Sequence, residues 1–131
     1  MQYGISKDKL LVTLEANEDQ TAKEGYAVKF SSGKAALQTS DTAVDTCGVI
    51  TDGAESGSKS SVALAGIDAV VYVKLHSTAG TINAGTFLGT HTNGTFKATA
   101  SSKISVAQAL ETGANNALIK ARLLNVSSVT S

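Results

Sequence analysis

The sequence contains no proline and no tryptophan, and its one cysteine is Cys47. A single cysteine cannot form an internal disulfide, which excludes the small secreted domains that depend on disulfides for stability. Aromatic residues make up 5% of the chain, so the core is expected to consist of valine, isoleucine, leucine and alanine. The hydrophobic share of 42% over 131 residues is sufficient for one packed domain.

Neither sign of charge dominates, because 11 basic residues balance 11 acidic ones. Proteins that bind nucleic acids usually carry a basic patch, since neutralising phosphates supplies much of their affinity. No hydrophobic run approaches the roughly 20 residues that span a bilayer. The N-terminal stretch MQYGISKDKLLVTLEANEDQ lacks the apolar core and cleavage site of a secretory signal. We therefore predict no nucleic-acid partner, no membrane partner and assembly in a reducing cytoplasm.

Short alternating segments separated by glycine, asparagine, aspartate and serine dominate the chain, which favours an all-β sandwich or barrel of antiparallel strands. Hairpin turns are predicted at Ser32-Gly33 and at Thr92-Asn93-Gly94, because glycine supplies the positive φ that such turns need. One short helix is allowed at residues 39–44, and residues 114–124 could be drawn as a helix. The predicted strands are residues 9–14, 26–31, 34–38, 47–51, 61–75 with a break at 66–68, 87–90, 95–99, 104–111 and 117–126.

Two stretches of the chain, about residues 22–66 and 82–126, resemble one another. Each hairpin alone leaves an apolar sheet face unburied, so the two similar halves are expected to pack together and can close the sheet into a small β-barrel. We predict an N-terminal arm or first strand over residues 1–20 and a single β domain over residues 21–131. Three pairs of glycines match: Gly25 with Gly85, Gly33 with Gly94, and Gly53 with Gly113.

The sequence offers no arrangement of residues typical of a catalytic or metal site. His76 and His91 lack the spacing of zinc ligands, and we interpret them as exposed turn residues. Cys47 has no histidine nearby in sequence, so we interpret it as a small buried residue. The acids between residues 41 and 55 do not follow the order of a calcium loop, and GAESGSKSS lacks the spacing of a phosphate loop. We predict no enzyme activity, no metal and no cofactor.

The order of these segments resembles a family of small phage head proteins, the capsid decoration or cement proteins, and more closely the DUF2190-like cement and head-fibre type. The resemblance covers about residues 25–124. Residues 62–66 look like the family's V-x-V-A-L-x-G-x strand, whereas residues 84–88 match its A-G-D-x-V-Y segment only loosely, with Thr86 at a position where an acid is common. The residues that carry the resemblance are EGYAVKFSSGKAALQT, CGVITDGAESGSKSSVALAGIDAVVYVKL, INAGTFLGTHTNGTFKATA and ISVAQALETGANNALIKARLL.

This resemblance implies a virion structural protein with a β-barrel or β-tulip-like body. It implies a homotrimer that is assembled in the host cytoplasm, binds the major capsid protein on the outer surface of the assembled capsid and stabilises the shell. Residues 1–14 are a candidate capsid-binding arm, since an extended segment can add a strand to a neighbouring sheet. Residues 9–14 are equally a candidate for the first strand of the domain. The proposed anchors of the arm are Tyr3, Ile5, Leu10 and Leu11.

The alternative function is a head-fibre or adhesin module that binds host-surface glycan. Such a module needs exposed aromatic side chains along a groove, and the sequence pattern assigns most of the six tyrosine and phenylalanine residues to core positions. A hydrolase on a β scaffold, the third possibility, needs two acids held roughly 5–10 Å apart.

Overall fold

The computed structural model describes residues 11–39, 45–66, 69–100 and 103–124, which form ten strands and a 3₁₀ turn at Thr92–Gly94. We call residues 11–66 the first half and residues 69–124 the second half. The first half contains β1 (Leu11–Glu15), β2 (Ala27–Ser31), β3 (Lys34–Leu37), β4 (Thr46–Asp52) and β5 (Lys59–Leu64). The second half contains β6 (Val70–Lys74), β7 (Phe87–Thr90), β8 (Phe96–Ala98), β9 (Ala107–Ala109) and β10 (Leu118–Leu123).

The predicted all-β fold class is confirmed, and the helical alternative for residues 114–124 is wrong because this segment contains β10. Its side chains alternate between exposed and buried positions, which is the period of a strand and not of a helix. The short helix allowed at residues 39–44 falls almost entirely on residues 40–44, which lie outside the described residues.

Both halves have the same topology. The strand order is β1-β5-β4-β2-β3 in the first sheet and β6-β10-β9-β7-β8 in the second, and every neighbouring pair is antiparallel. Single hydrogen bonds also recur: the Gly25 N–H donates to the Ile50 carbonyl at 2.8 Å, and the Gly85 N–H donates to the Ala109 carbonyl at 2.7 Å. The structure therefore agrees with the prediction of two similar halves.

The hairpin turns occur where the sequence places them. Ser32 and Gly33 have φ of 53° and 78°, and Asn93 and Gly94 have φ of 59° and 76°. Two consecutive positive φ values match the right-handed twist of the flanking strands, which is why asparagine and glycine favour such turns. Each turn joins the second and third strands of its half.

The two sheets are separate, and within the described residues neither is closed into a barrel, so of the two predicted architectures, a barrel or a sandwich, the closed barrel is wrong. An isolated parallel bridge joins Ala16 to Ala35 in the first half, and another joins Leu75 to Phe96 in the second half. Each sheet therefore curls toward closure. A barrel needs a continuous ladder between its first and last strands, and one bridge does not supply it.

The halves meet at a joint formed by one face of the first sheet. Ala27, Val49 and Ala63 are fully buried and lie side by side on neighbouring strands. They belong to the same apolar cluster as Val71 and Val73 of the second half. The opposite face of the first sheet has its own smaller core of Val28, Ala35, Ile50 and Val62. Central strands of the first sheet are consequently covered on both faces.

The predicted division into residues 1–20 and residues 21–131 stays a prediction. β1 begins at Leu11 and belongs to the first sheet, while residues 1–10 lie outside the described residues. The part of the chain that the structure describes contains no helix long and apolar enough to cross a bilayer.

Candidate functional site

Of the four proposed anchors of the capsid-binding arm, Leu11 alone lies within the described residues, and residues 11–14 of the arm form most of β1. Leu11 begins β1, lies opposite Ala63 of β5 and is 50% exposed. Tyr3, Ile5 and Leu10 lie outside the described residues. The role of these four side chains therefore stays a prediction.

The second sheet has a solvent-exposed face, which we call the outer face. On β6, Val71 and Val73 point into the core, and the residues between and beside them point outward. Strand register places Tyr72 opposite Lys120 and Val70 opposite Arg122, and paired residues share a face. The outer face consists of Val70, Tyr72, Lys74, Phe87, Gln108, Leu110, Leu118, Lys120 and Arg122.

Large hydrophobic side chains are concentrated on the outer face. Seven such side chains are exposed among the described residues, and five of the seven lie there. They are Val70 (45% exposed), Tyr72 (54%), Phe87 (47%), Leu110 (43%) and Leu118 (47%). A contiguous exposed apolar surface on a soluble protein commonly marks an interaction site.

Polar groups fix the geometry of the outer face. The Arg122 Nε donates to the Gln108 Oε1 at 2.8 Å, and the Gln108 Nε2 donates to the Gly85 carbonyl at 3.0 Å. The Glu111 carboxylate, on the loop after β9, accepts the Lys120 backbone N–H at 2.9 Å. The face combines apolar side chains with ordered polar ones, a composition typical of protein–protein interfaces that form between folded partners.

A groove of about 320 Å³ borders the outer face where the two halves meet. The Lys74 N–H donates to the Gly25 carbonyl at 2.9 Å and connects the halves there. The lining comes from both halves: Glu24, Gly25, Ile50 and Thr51 from the first, and Val70, Val71, Tyr72, Leu118 and Lys120 from the second.

The structure brings together the two histidines, which the sequence did not relate to each other. The rings of His76 and His91 meet edge to face with centroids 4.4 Å apart. Two imidazoles are one or two ligands short of a typical zinc site. In the described ranges, no group of three or more histidine, cysteine, aspartate or glutamate side chains could hold a metal ion.

His76 is expected to titrate below its ordinary pKa of 6.5, because burial, then His91 and Lys97, disfavour its charged form. The Thr78 N–H donates to the His76 Nδ1 at 3.0 Å, and protonation of that nitrogen breaks this bond. Because the folded-state pKa is lowered, the stability linked to neutral His76 is fully present above pH 6.5 and is lost as the pH falls through the lowered pKa.

NMR titration of the histidine ring protons measures this pKa. The variant His91→Gln removes one of the two basic neighbours and is expected to raise the pKa of His76 toward 6.5. A wild-type His76 that titrates at or above 6.5 would contradict the interpretation.

Cys47 lies in β4 and packs, half-buried, against the smaller core. Burial raises the pKa of its thiol to about 11. The reactive thiolate is therefore scarce near neutral pH, which agrees with its interpretation as a small core residue.

The sequence pattern missed the outer face and wrongly assigned several exposed aromatic residues to the core. Phe30, Tyr72 and Phe87 are about half exposed, whereas Phe96 is fully buried. Alternation shows which residues share a face of a strand, but it does not show which face another sheet covers. The strand register matches the buried row Ala27, Val49 and Ala63 with Phe87, Gln108 and Arg122 of the second half, which are larger or more polar.

No family model matches the sequence, and no curated protein matches it. Among solved structures, the fold matches that of a phage head structural protein. That protein is the head fibre gp8.5 of bacteriophage phi29, and the matching part is its N base. The match has a TM-score of 0.62 and 17% sequence identity, and it covers 88% of this chain and 94% of the phi29 chain. A likeness at this identity establishes a shared fold, and the DUF2190-like resemblance stays a prediction.

Proposed function

We propose that the chain is a non-catalytic structural protein of a phage virion, which binds the outside of an assembled capsid as a homotrimer and stabilises it. The observation that carries this proposal is the fold shared with the phi29 head-fibre base over 94% of that chain. The similarity extends over almost the whole of both chains, so it concerns the complete two-sheet body. The exposed apolar side chains of the outer face support a role in binding proteins.

Stabilisation of a capsid follows from mass action. A protein that binds the assembled shell, and not the dissociated subunits, lowers the free energy of the shell. The effect is about 2.7 kcal/mol per site when the free concentration of the protein is 100 times its Kd. Many copies of the site multiply this effect over one shell. The major capsid protein is therefore the proposed partner.

Deletion of residues 1–6 is expected to weaken capsid binding by about tenfold or more, because it removes the anchors Tyr3 and Ile5 of the proposed arm. Co-sedimentation with purified expanded capsids of the phage that encodes the chain measures the occupancy. The melting temperature should stay the same, since β1 and the rest of the first sheet are left intact.

The matched control is deletion of residues 127–131 at the other end of the chain, which leaves both sheets and the proposed arm in place. Equal occupancy for the wild type and the arm deletion would reject the arm. Absence of wild-type binding to expanded capsids would reject capsid decoration itself.

One observation favours the alternative of a head-fibre module that binds glycan. Tyr72 is 54% exposed and lines the groove between the halves, and an exposed aromatic ring is the platform that sugar rings stack on. Two results together would support this alternative: the wild type binds a glycan array and Tyr72→Ala abolishes that binding, and the wild type does not sediment with capsids.

A further inference from the structure

The matching glycines of the two halves have different surroundings. A Cβ added to Gly25 would lie 2.6 Å from the Leu118 Cδ2 and 2.9 Å from the Lys74 backbone nitrogen, both in the other half. Gly85 occupies the same position in the second half, before its β7, and a Cβ added there meets no atom within 4 Å. The Gly25 contact with β6 is therefore not repeated by Gly85.

The hairpin turns of the two halves also have different surroundings, but here the turn of the second half makes the contact. A Cβ added to Gly94 would lie 2.6 Å from the Ala27 carbonyl oxygen of the first half. Gly33, at the matching turn of the first half, has no atom within 4 Å of such a Cβ. A twofold relation between the halves would repeat both contacts, so the halves are packed head to tail.

Head-to-tail packing uses a different surface on each half. The first half contributes a sheet face, with Ala27, Val49 and Ala63 fully buried, and the matching face of the second half is the exposed outer face. The second half contributes β6 and the Thr92–Gly94 turn. The matching elements of the first half are β1 and the Ser32–Gly33 turn, and we call these two elements, together with Phe30 just before the turn, the leading edge. Each chain therefore presents an unused leading edge and an outer face that the joint covers only in part, beside Gly25, where it meets Leu118 and Lys74.

The exposed hydrophobic side chains lie on these two surfaces. Five of the seven are on the outer face, as described above. The other two are Leu11 (50% exposed), which lies on β1 at the position that matches Val70, and Phe30 (55%), which precedes the Ser32–Gly33 turn. Hydrophobic exposure is thus concentrated on the leading edge and on the outer face, most of which the internal joint leaves uncovered.

We propose that the leading edge of one copy docks on the outer face of a second copy, and that this contact repeats the joint between the two halves. Glu15 at the end of β1 would then lie beside Gly85 of the second copy, as Lys74 lies beside Gly25 within the chain. The open space around Gly33 accommodates Phe87, which replaces the smaller Ala27. A heterologous contact closes into a ring when its rotation is a simple fraction of a turn. The inference deepens the homotrimer of the proposed function by assigning its surfaces.

Mixing two variants tests the contact. Phe87→Glu disables the outer face, and Phe30→Glu disables the leading edge. Both side chains are about half exposed, so both variants should stay folded and keep the circular dichroism spectrum of the wild type. Light scattering after size exclusion, without capsids, should show an oligomer for the wild type and the 13.3 kDa monomer for each variant alone. An equimolar mixture should regain a dimer, because one intact outer face meets one intact leading edge.

The matched control is a mixture of Phe87→Glu with Leu110→Glu. Both substitutions alter the outer face, so this mixture should stay monomeric. Three outcomes would each reject the proposed contact. They are a wild type that is monomeric at millimolar concentration, an oligomer that Phe30→Glu leaves intact, and the absence of a dimer when Phe87→Glu is mixed with Phe30→Glu. An oligomer that ignores both substitutions would leave the homotrimer standing and reject these surfaces, while capsid binding is decided separately by co-sedimentation.

Discussion

Replacing Gly25 with alanine is expected to lower the free energy of unfolding by about 2–5 kcal/mol, the sum of backbone strain and overpacking. Gly25 has φ of +90°, a region that disfavours side chains. Its added Cβ would also lie 2.9 Å from the Lys74 backbone nitrogen, which cannot move away as a flexible side chain can. The substitution therefore acts on the joint between the halves.

Gly85→Ala is the matched control for this substitution. Gly85 has φ of +96°, and no atom lies within 4 Å of an added Cβ, so only the backbone cost of about 1–2 kcal/mol remains. Urea unfolding monitored by circular dichroism, at concentrations where the chain is monomeric, gives both values. Equal losses for the two variants would show that Gly25 does not hold the halves together.

Gln20→Ala is expected to cost about 2–4 kcal/mol, since it leaves buried polar partners without hydrogen bonds and opens a small cavity. Gln20 is fully buried in a connection between strands. Its Nε2 donates to the Ala35 carbonyl at 2.8 Å, and its Oε1 accepts the Ser60 hydroxyl at 2.8 Å. These bonds attach the connection after β1 to both β3 and β5.

The comparison variant for Gln20→Ala is Gln108→Ala. Gln108 also donates its Nε2 to a main-chain carbonyl, that of Gly85 at 3.0 Å, but it does so at the surface. Water replaces the Gly85 bond, and the half-buried bond from the Arg122 Nε to the Gln108 Oε1 at 2.8 Å is lost as well, so the expected cost is about 1 kcal/mol. The same urea titration measures both variants, and a Gln20→Ala protein as stable as Gln108→Ala would show that the buried bonds are weak.

Local sequence signals were sufficient to predict the strands and turns. Residues 87–90 were predicted as a strand and form β7, and the break predicted at residues 66–68 falls between β5 and β6. The Ser32-Gly33 and Asn93-Gly94 turns follow from the preference of glycine and asparagine for positive φ. These features depend on residues close together in the chain, which is why they can be read from one sequence.

The candidate site depends on the packing of the halves, which the local pattern does not encode. Ala27 and Phe87 occupy matching strand positions, yet Ala27 is fully buried and Phe87 is 47% exposed. The difference arises because head-to-tail packing covers only one of the two matching faces. The burial of Gln20 could not be predicted for a related reason. Its segment has the pattern of a polar loop, and only the fold encloses the side chain between strands.

The register of the edge strands has a consequence for mechanical load. Leu11 lies opposite Ala63 and Val70 lies opposite Arg122, so the chain enters and leaves each half on neighbouring antiparallel strands. Tension between the ends of either half therefore unzips its hydrogen bonds one after another, each contributing only about 1 kcal/mol, instead of shearing them together. Resistance to pulling must come from attachments along the sheet faces and not from the chain ends.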